Sequence, residues 1–138
     1  IMIDRASVRN VIAGNTMERN SGDGLVFIES SDNSSWGNTI RGNGKNGVRV
    51  RNSSNIVMRG DNISGNGLYG VDAYAVSLKN TGRDLAVDPY TPRVTLDAAD
   101  ISLSANIGGQ FRARNIEDMT LARIQAFRAG ELFSGDIE

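Results

Sequence analysis

The chain has 138 residues, with 15 basic and 16 acidic side chains and a formal net charge of −1. That length holds one domain with a real core, and so even a balance excludes recruitment of nucleic acid or an anionic membrane by overall charge. Cysteine and histidine are both absent, which excludes a disulfide framework, the usual Cys/His metal sites and any histidine base within this chain.

The first element, "IMID" at residues 1–4, alternates in the manner of a strand and opens the chain with no visible leader. A start inside a strand is expected of a mature product or an excised fragment. No stretch approaches the roughly 18 apolar residues of a membrane span. Sixteen glycines against two prolines, among many Asn and Ser residues, predict turns rather than long helices.

From residue 24 the sequence repeats. Gly24, Gly47 and Gly70 are 23 residues apart, as are Asn20, Asn43 and Asn66; Asn15 and Asn38 keep the interval, and Ser30-Ser31 returns as Ser53-Ser54. The units are "GLVFIESSDNSSWGNTIRGNGKN" and "GVRVRNSSNIVMRGDNISGNGLY"; "IMIDRASVRNVIAGNTMERNSGD" precedes them with a one-residue shift near its start. In the middle unit three short apolar runs, Val48/Val50, Ile56/Met58 and Ile63, are separated by turn residues. A leucine-rich repeat has another pattern and a propeller blade needs about 40 residues, so a three-sided parallel β-helix fits the period best. Its coils stack as parallel strands roughly 4.8 Å apart. Asn20, Asn43 and Asn66 then form a side-chain ladder at one bend, with neighbouring glycines supplying turn geometry.

"GNGKNG" at 42–47 has the spacing of a dinucleotide-binding loop, but no helix follows it and "GNGLYG" repeats it at 65–70. It is expected as a coil corner. After residue 74 the period breaks. "AVSLKNTGRDLAVDPYTP" carries both prolines and is expected as a long inserted loop, before the chain rejoins at "RVTLDAADISLSAN", residues 93–106. From Asn115, "NIEDMTLARIQAFRAG" reads equally as a helix, with an N-cap, an acidic first turn and a closing glycine, or as a last strand. Either caps an open β-helix end. The expectation is one domain over 1–138, with regular coils at 1–74, the loop at 75–92, and last coils and cap at 93–138.

In the first strand of each coil, Ile1/Ile3, Leu25/Phe27, Val48/Val50 and Val71/Ala73 are expected to point inward. Met2/Asp4, Val26/Ile28, Arg49/Arg51 and Asp72/Tyr74 then line one outer face, with Arg5, Glu29 and Asp32 just past the strand ends. Two readings stay open. The face is a solvated sheet surface with cross-strand charge pairs, or a shallow groove whose arginines fork onto the carboxylates of an extended polyanion. Trp36, among turn residues, is expected as a packed corner aromatic, with stacking on a sugar as the second reading. The N-x-S triplets at Asn33, Asn52 and Asn62 carry little weight in an Asn/Ser-rich repeat.

Taken together, "DGLVFIESSDNSSWGN", "NGVRVRNSSNI" and "NTGRDLAVDP" resemble the periplasmic, alginate-synthesis type of bacterial mannuronan C5-epimerase, over residues 1–106. The resemblance implies an all-β, right-handed parallel β-helix in the periplasm that acts on an acidic polysaccharide without a cofactor. It also implies a substrate-binding role for Arg49 and Arg51; Asp4, Arg5, Glu29, Asp72 and Tyr74 are groove residues by alternation. C5 inversion needs a neutralised carboxylate, a base on one face and an acid on the other. The family's Asp-Pro-His-Asp motif for this is not in this sequence, and Asp88-Pro89-Tyr90 imitates it only within the inserted loop. Tyr74 alone offers a local acid or base, and an ordinary tyrosine near pKa 10 is a poor base at neutral pH. No catalytic or metal-binding residue is therefore assigned.

The expectation is the C-terminal part of an epimerase, contributing groove walls without the catalytic coil. Its cut end would meet upstream coils or self-associate, with marginal stability alone. The alternatives are a polysaccharide-binding or structural β-helix, and a polysaccharide lyase, whose elimination leaves an unsaturated product. Copper handling is disfavoured, since four scattered methionines make poor sites.

Overall fold

A computed structural model describes residues 1–76 and 93–126. Strands of two to six residues recur between turns, and the described residues contain no helix. The first sheet takes β1 (Met2–Asp4), β4 (Leu25–Ile28), β7 (Val48–Arg51), β10 (Tyr69–Tyr74) and β13 (Gly109–Arg114). A second takes β2 (Val11–Ala13), β5 (Asn33–Trp36), β8 (Ile56–Arg59), β11 (Thr95–Ala99) and β14 (Asp118–Ala122). The third takes β3 (Thr16–Glu18), β6 (Thr39–Arg41), β9 (Asn62–Ser64), β12 (Ser102–Ser104) and β15 (Gln125–Ala126). Every pairing is parallel, and each strand lies beside its counterpart one coil away. The result is a β-solenoid with three strands in each coil.

The 23-residue period is the register itself: Leu25 pairs with Val48, and Val48 with Val71. At the start, Met2 pairs with Val26, an interval of 24, while Val11 pairs with Ser34, an interval of 23. The one-residue shift thus lies between β1 and β2. Val71 pairs with Phe111, an interval of 40, so 17 residues beyond the usual 23 are accommodated without loss of register. Most of the expected loop, residues 77–92, lies outside the described residues, as does Asp88-Pro89-Tyr90.

Alternation puts apolar files inside the tube, one from the third sheet and two from the first. Met17, Ile40, Ile63 and Leu103 stack from the third sheet, all buried. Leu25/Phe27, Val48/Val50, Val71/Ala73 and Phe111/Ala113 are fully buried from the first. The inward readings therefore hold except at Ile1, half exposed on the outermost coil, whose outer side meets no described strand. Val26 departs the other way. Its position faces outward, yet it is buried, between the longer Met2 and Arg49 in the stack.

A polar ladder runs up each corner. Asn20 Nδ2 donates to Asn43 Oδ1, Asn43 Nδ2 to Asn66 Oδ1, and Asn66 Nδ2 to Asn106 Oδ1, each at 2.9 Å. Each acceptor oxygen also receives the backbone N–H of the same donor residue. Buried amides thus satisfy corner backbone groups that sheet pairing cannot reach. The other corners use Asn10–Asn33 and Asn15–Asn38–Asp61. "GNGKNG" is the turn between β6 and β7, as expected, with Gly42 at φ 63°. Gly47 serves a different need: a Cβ there would lie 2.5 Å from Ile63 Cγ2 and 2.7 Å from the Gly70 carbonyl oxygen.

One open alternative is decided in favour of the strand, and one expectation needs correction. The helical reading of 115–130 fails where it can be seen, because β14 and β15 are strands. The edges of β11 and β12 offer a full register, from Thr95–Asp118 to Leu103–Ala126, and pairing overrides the local helix signal. Trp36 is no packed corner residue either. It ends β5 with its side chain turned outward, 50% exposed, between Ala13 and Arg59.

Candidate functional site

The first sheet turns two files of side chains outward. One runs Met2, Val26, Arg49, Asp72, Arg112; the other runs Asp4, Ile28, Arg51, Tyr74, Arg114. Five strands at roughly 4.8 Å make each file about 19 Å long. The end of each file at β1 is apolar or acidic, while from β7 to β13 the face carries four arginines.

Asp72 organises that basic end. The residue is only 2% exposed, and its carboxylate accepts from Arg112 Nη2 at 2.7 Å and Nε at 3.0 Å, a bidentate pair. This hydrogen bond holds the Arg112 guanidinium protonated even more firmly than usual, against the opposing effect of burial. Arg114 Nη2 lies 3.5 Å from the same carboxylate. Two tyrosines seat these cations: Arg112 lies 4.4 Å from the Tyr69 ring centroid, and Arg114 4.7 Å from that of Tyr74. Arg49 Nε is 3.0 Å from Asp23 Oδ2, while Asp23 Oδ1 accepts the backbone N–H of Asn46. Arg51 makes no ion pair among the described residues. Four cations thus face two buried carboxylates, which leaves the surface a net positive charge for anionic chains.

The residues singled out by alternation separate into two groups. Arg49, Arg51, Asp72 and Tyr74 stand together on β7 and β10. Asp4 is exposed on β1, with Ile28 between it and Arg51 in the file. Arg5 and Glu29 occupy one corner position in successive coils, both with positive φ, at 35° and 49°. Asp32, at φ 62°, lies at the far end of the same bend as Glu29, where its Oδ1 accepts from Asn55 Nδ2 at 2.7 Å. These corner residues flank the first sheet rather than lining it.

Sequence reading missed Arg112, Arg114, Tyr69 and Asp23. The signal for the arginines was present: "GQFRAR" at 109–114 repeats the Arg-x-Arg of "GVRVR" at 47–51. It stands 40 residues after β10's counterpart positions rather than 23, so a search at the shorter period passes over it. Among the described residues, no three His, Cys, Asp or Glu side chains converge as metal ligands.

Residues 1–83 match the family model described as "Right handed beta helix region". Over 109 residues, 79% of this chain, the sequence is 43% identical to a mannuronan C5-epimerase of Pseudomonas putida. It is 46% identical, over a stretch of the same length, to a mannuronan C5-epimerase of Pseudomonas syringae pv. tomato. The chain covers 21% and 20% of these proteins, about a fifth of their length. The crystal structure of the periplasmic alginate epimerase AlgG superimposes with a TM-score of 0.88 at 35% identity, covering 92% of this chain and 30% of that one.

Proposed function

This chain belongs to the right-handed β-helix family and is a homologue of mannuronan C5-epimerases, and from that premise we propose that it forms a polyuronate-binding wall of an epimerase-type protein. The polymer lies along the outer face of the first sheet. In the whole protein, acting in the periplasm, it is converted from mannuronate to guluronate in place. The observation that carries this reading is the net-positive rank of Arg49, Arg51, Arg112 and Arg114 on adjoining strands.

The chemistry assigns these residues a limited part. A uronate carboxylate withdraws little from its neighbouring C–H while it is charged. Cations held against it stabilise the developing enolate, and a half-buried guanidinium does so without being deprotonated. Proton removal at C5 and return to the opposite face need a base and an acid. This chain has no histidine, and Tyr74 is an unsuited base, so those groups come from outside these residues.

The test combines binding with isotope exchange. The folded chain is titrated with polymannuronate and incubated with it in deuterated water, with proton NMR as the readout. The expected result is saturable binding that weakens with salt, and no deuterium at C5. Equal affinity for a neutral mannan would sink the polyuronate reading. Deuterium at C5 of newly formed guluronate would place the chemistry here and overturn the division of labour.

A further inference from the structure

The four arginines differ in how fully carboxylates occupy them. Arg112 is committed to Asp72 in a bidentate pair, and Arg49 lies against Asp23. Arg51 has no ion pair among the described residues and Arg114 only the 3.5 Å contact to Asp72; the Nε–H of each is buried with no hydrogen-bond partner, as is that of Arg49 despite its approach to Asp23. Arg51 and Arg114 stand in the same file, one on each side of Tyr74. Arg114 is drawn toward β10 by two contacts, the Tyr74 ring at 4.7 Å and Asp72 at 3.5 Å. Leaning over Tyr74 brings its guanidinium toward the side of Arg51. The two strands are two spacings apart, roughly 9.6 Å, a gap that two long side chains can span.

We propose that Arg51 and Arg114 form a fork that holds one uronate carboxylate of the polymer above Tyr74. This deepens the polyuronate reading and rests on it. Buried donors without partners are costly, and an incoming carboxylate with four lone-pair sites satisfies both at once. Arg112 is excluded from the fork because its donors already serve Asp72.

The experiment measures, by calorimetry, the affinity of the full chain for a defined oligomannuronate and for its carboxyl-reduced neutral counterpart. Wild type is compared with Arg51→Gln, Arg114→Gln and the double variant. Each single change is expected to weaken oligomannuronate binding on the order of 10- to 100-fold. The double variant should lose little more than the worse single, because both arginines serve one group. Binding of the neutral oligomer should not respond. Wild-type affinity in a folded Arg114→Gln would overturn the fork while leaving the polyuronate reading intact, and fully additive losses would show two separate carboxylates and overturn it too. No binding by wild type would sink both readings together. Folding is checked by the unfolding midpoint. Should Arg114→Gln not fold, Arg114→Lys keeps the stem and charge but not the planar fork, and must still weaken binding.

Discussion

The asparagine corner and the arginine face use stacked positions in opposite ways. At the corner the same residue recurs in four coils, Asn20, Asn43, Asn66 and Asn106, making the same bond at the same length. On the face, one file reads Met2, Val26, Arg49, Asp72, Arg112, with no residue type in consecutive coils. A corner has one problem, an unpaired backbone group, and one solution repeats. An outer face has no such obligation, since its backbone is already paired. Its side chains are free to differ, and differences along a file are where chemistry can be placed.

The largest expected effect breaks the corner. Asn43→Ala removes the acceptor for Asn20 and the donor to Asn66 and to the Met17 carbonyl, and should cost about 3 kcal/mol in urea unfolding. A loss near zero would mean that the ladder follows the fold rather than holding it. The face should be more forgiving. Arg112→Gln leaves Asp72 with only the longer contact to Arg114, for a cost of about 1 kcal/mol.

A third change tests the ladder's weak rung. Asp61 stands where an asparagine would continue the file, accepting from Asn38 and from Ser35 Oγ, with burial pushing its pKa above the usual 3.8. A carboxyl with a raised folded pKa binds its proton more readily folded than unfolded. Its contribution is therefore fully present below 3.8 and is lost as pH rises through the higher folded value. Asp61→Asn should stabilise the chain at neutral pH, and the advantage should shrink as pH falls toward 3.8. A constant difference across that range would show that Asp61 does not titrate there. The smallest effect is expected at Glu18→Gln, whose partner Arg41 lies in solvent: the unfolding midpoint should not move measurably, in low salt or high.

That contrast also explains what the sequence discloses. The corner ladder and the inward file of the third sheet follow from spacing alone, because a recurring physical requirement leaves a recurring letter. Arg49, Arg51, Asp72 and Tyr74 could be assigned to one face by alternation. Their partners could not, since Arg112 meets Asp72 across 40 residues of sequence, and a period of 23 gives no reason to align them. The exposed position of Trp36 was hidden for another reason. Its neighbours Gly37 and Asn38 look like loop, while the strand that carries it is defined only by pairing with β2 and β8.

The 40-residue step has a consequence for how such a chain can be altered. Before the step, Val76 exchanges bonds with the Asn52 side chain at 2.9 and 3.2 Å; after it, Thr95 Oγ1 accepts the N–H of Asn55. Exit and return are thus both anchored on a single bend of the coil below. The stack counts positions and is indifferent to the length of chain between these anchors, and doubling a closed segment costs only about 0.6 kcal/mol. This bend is a natural splice point, where a foreign peptide could be grafted or the native one exchanged while every rung above and below keeps its register.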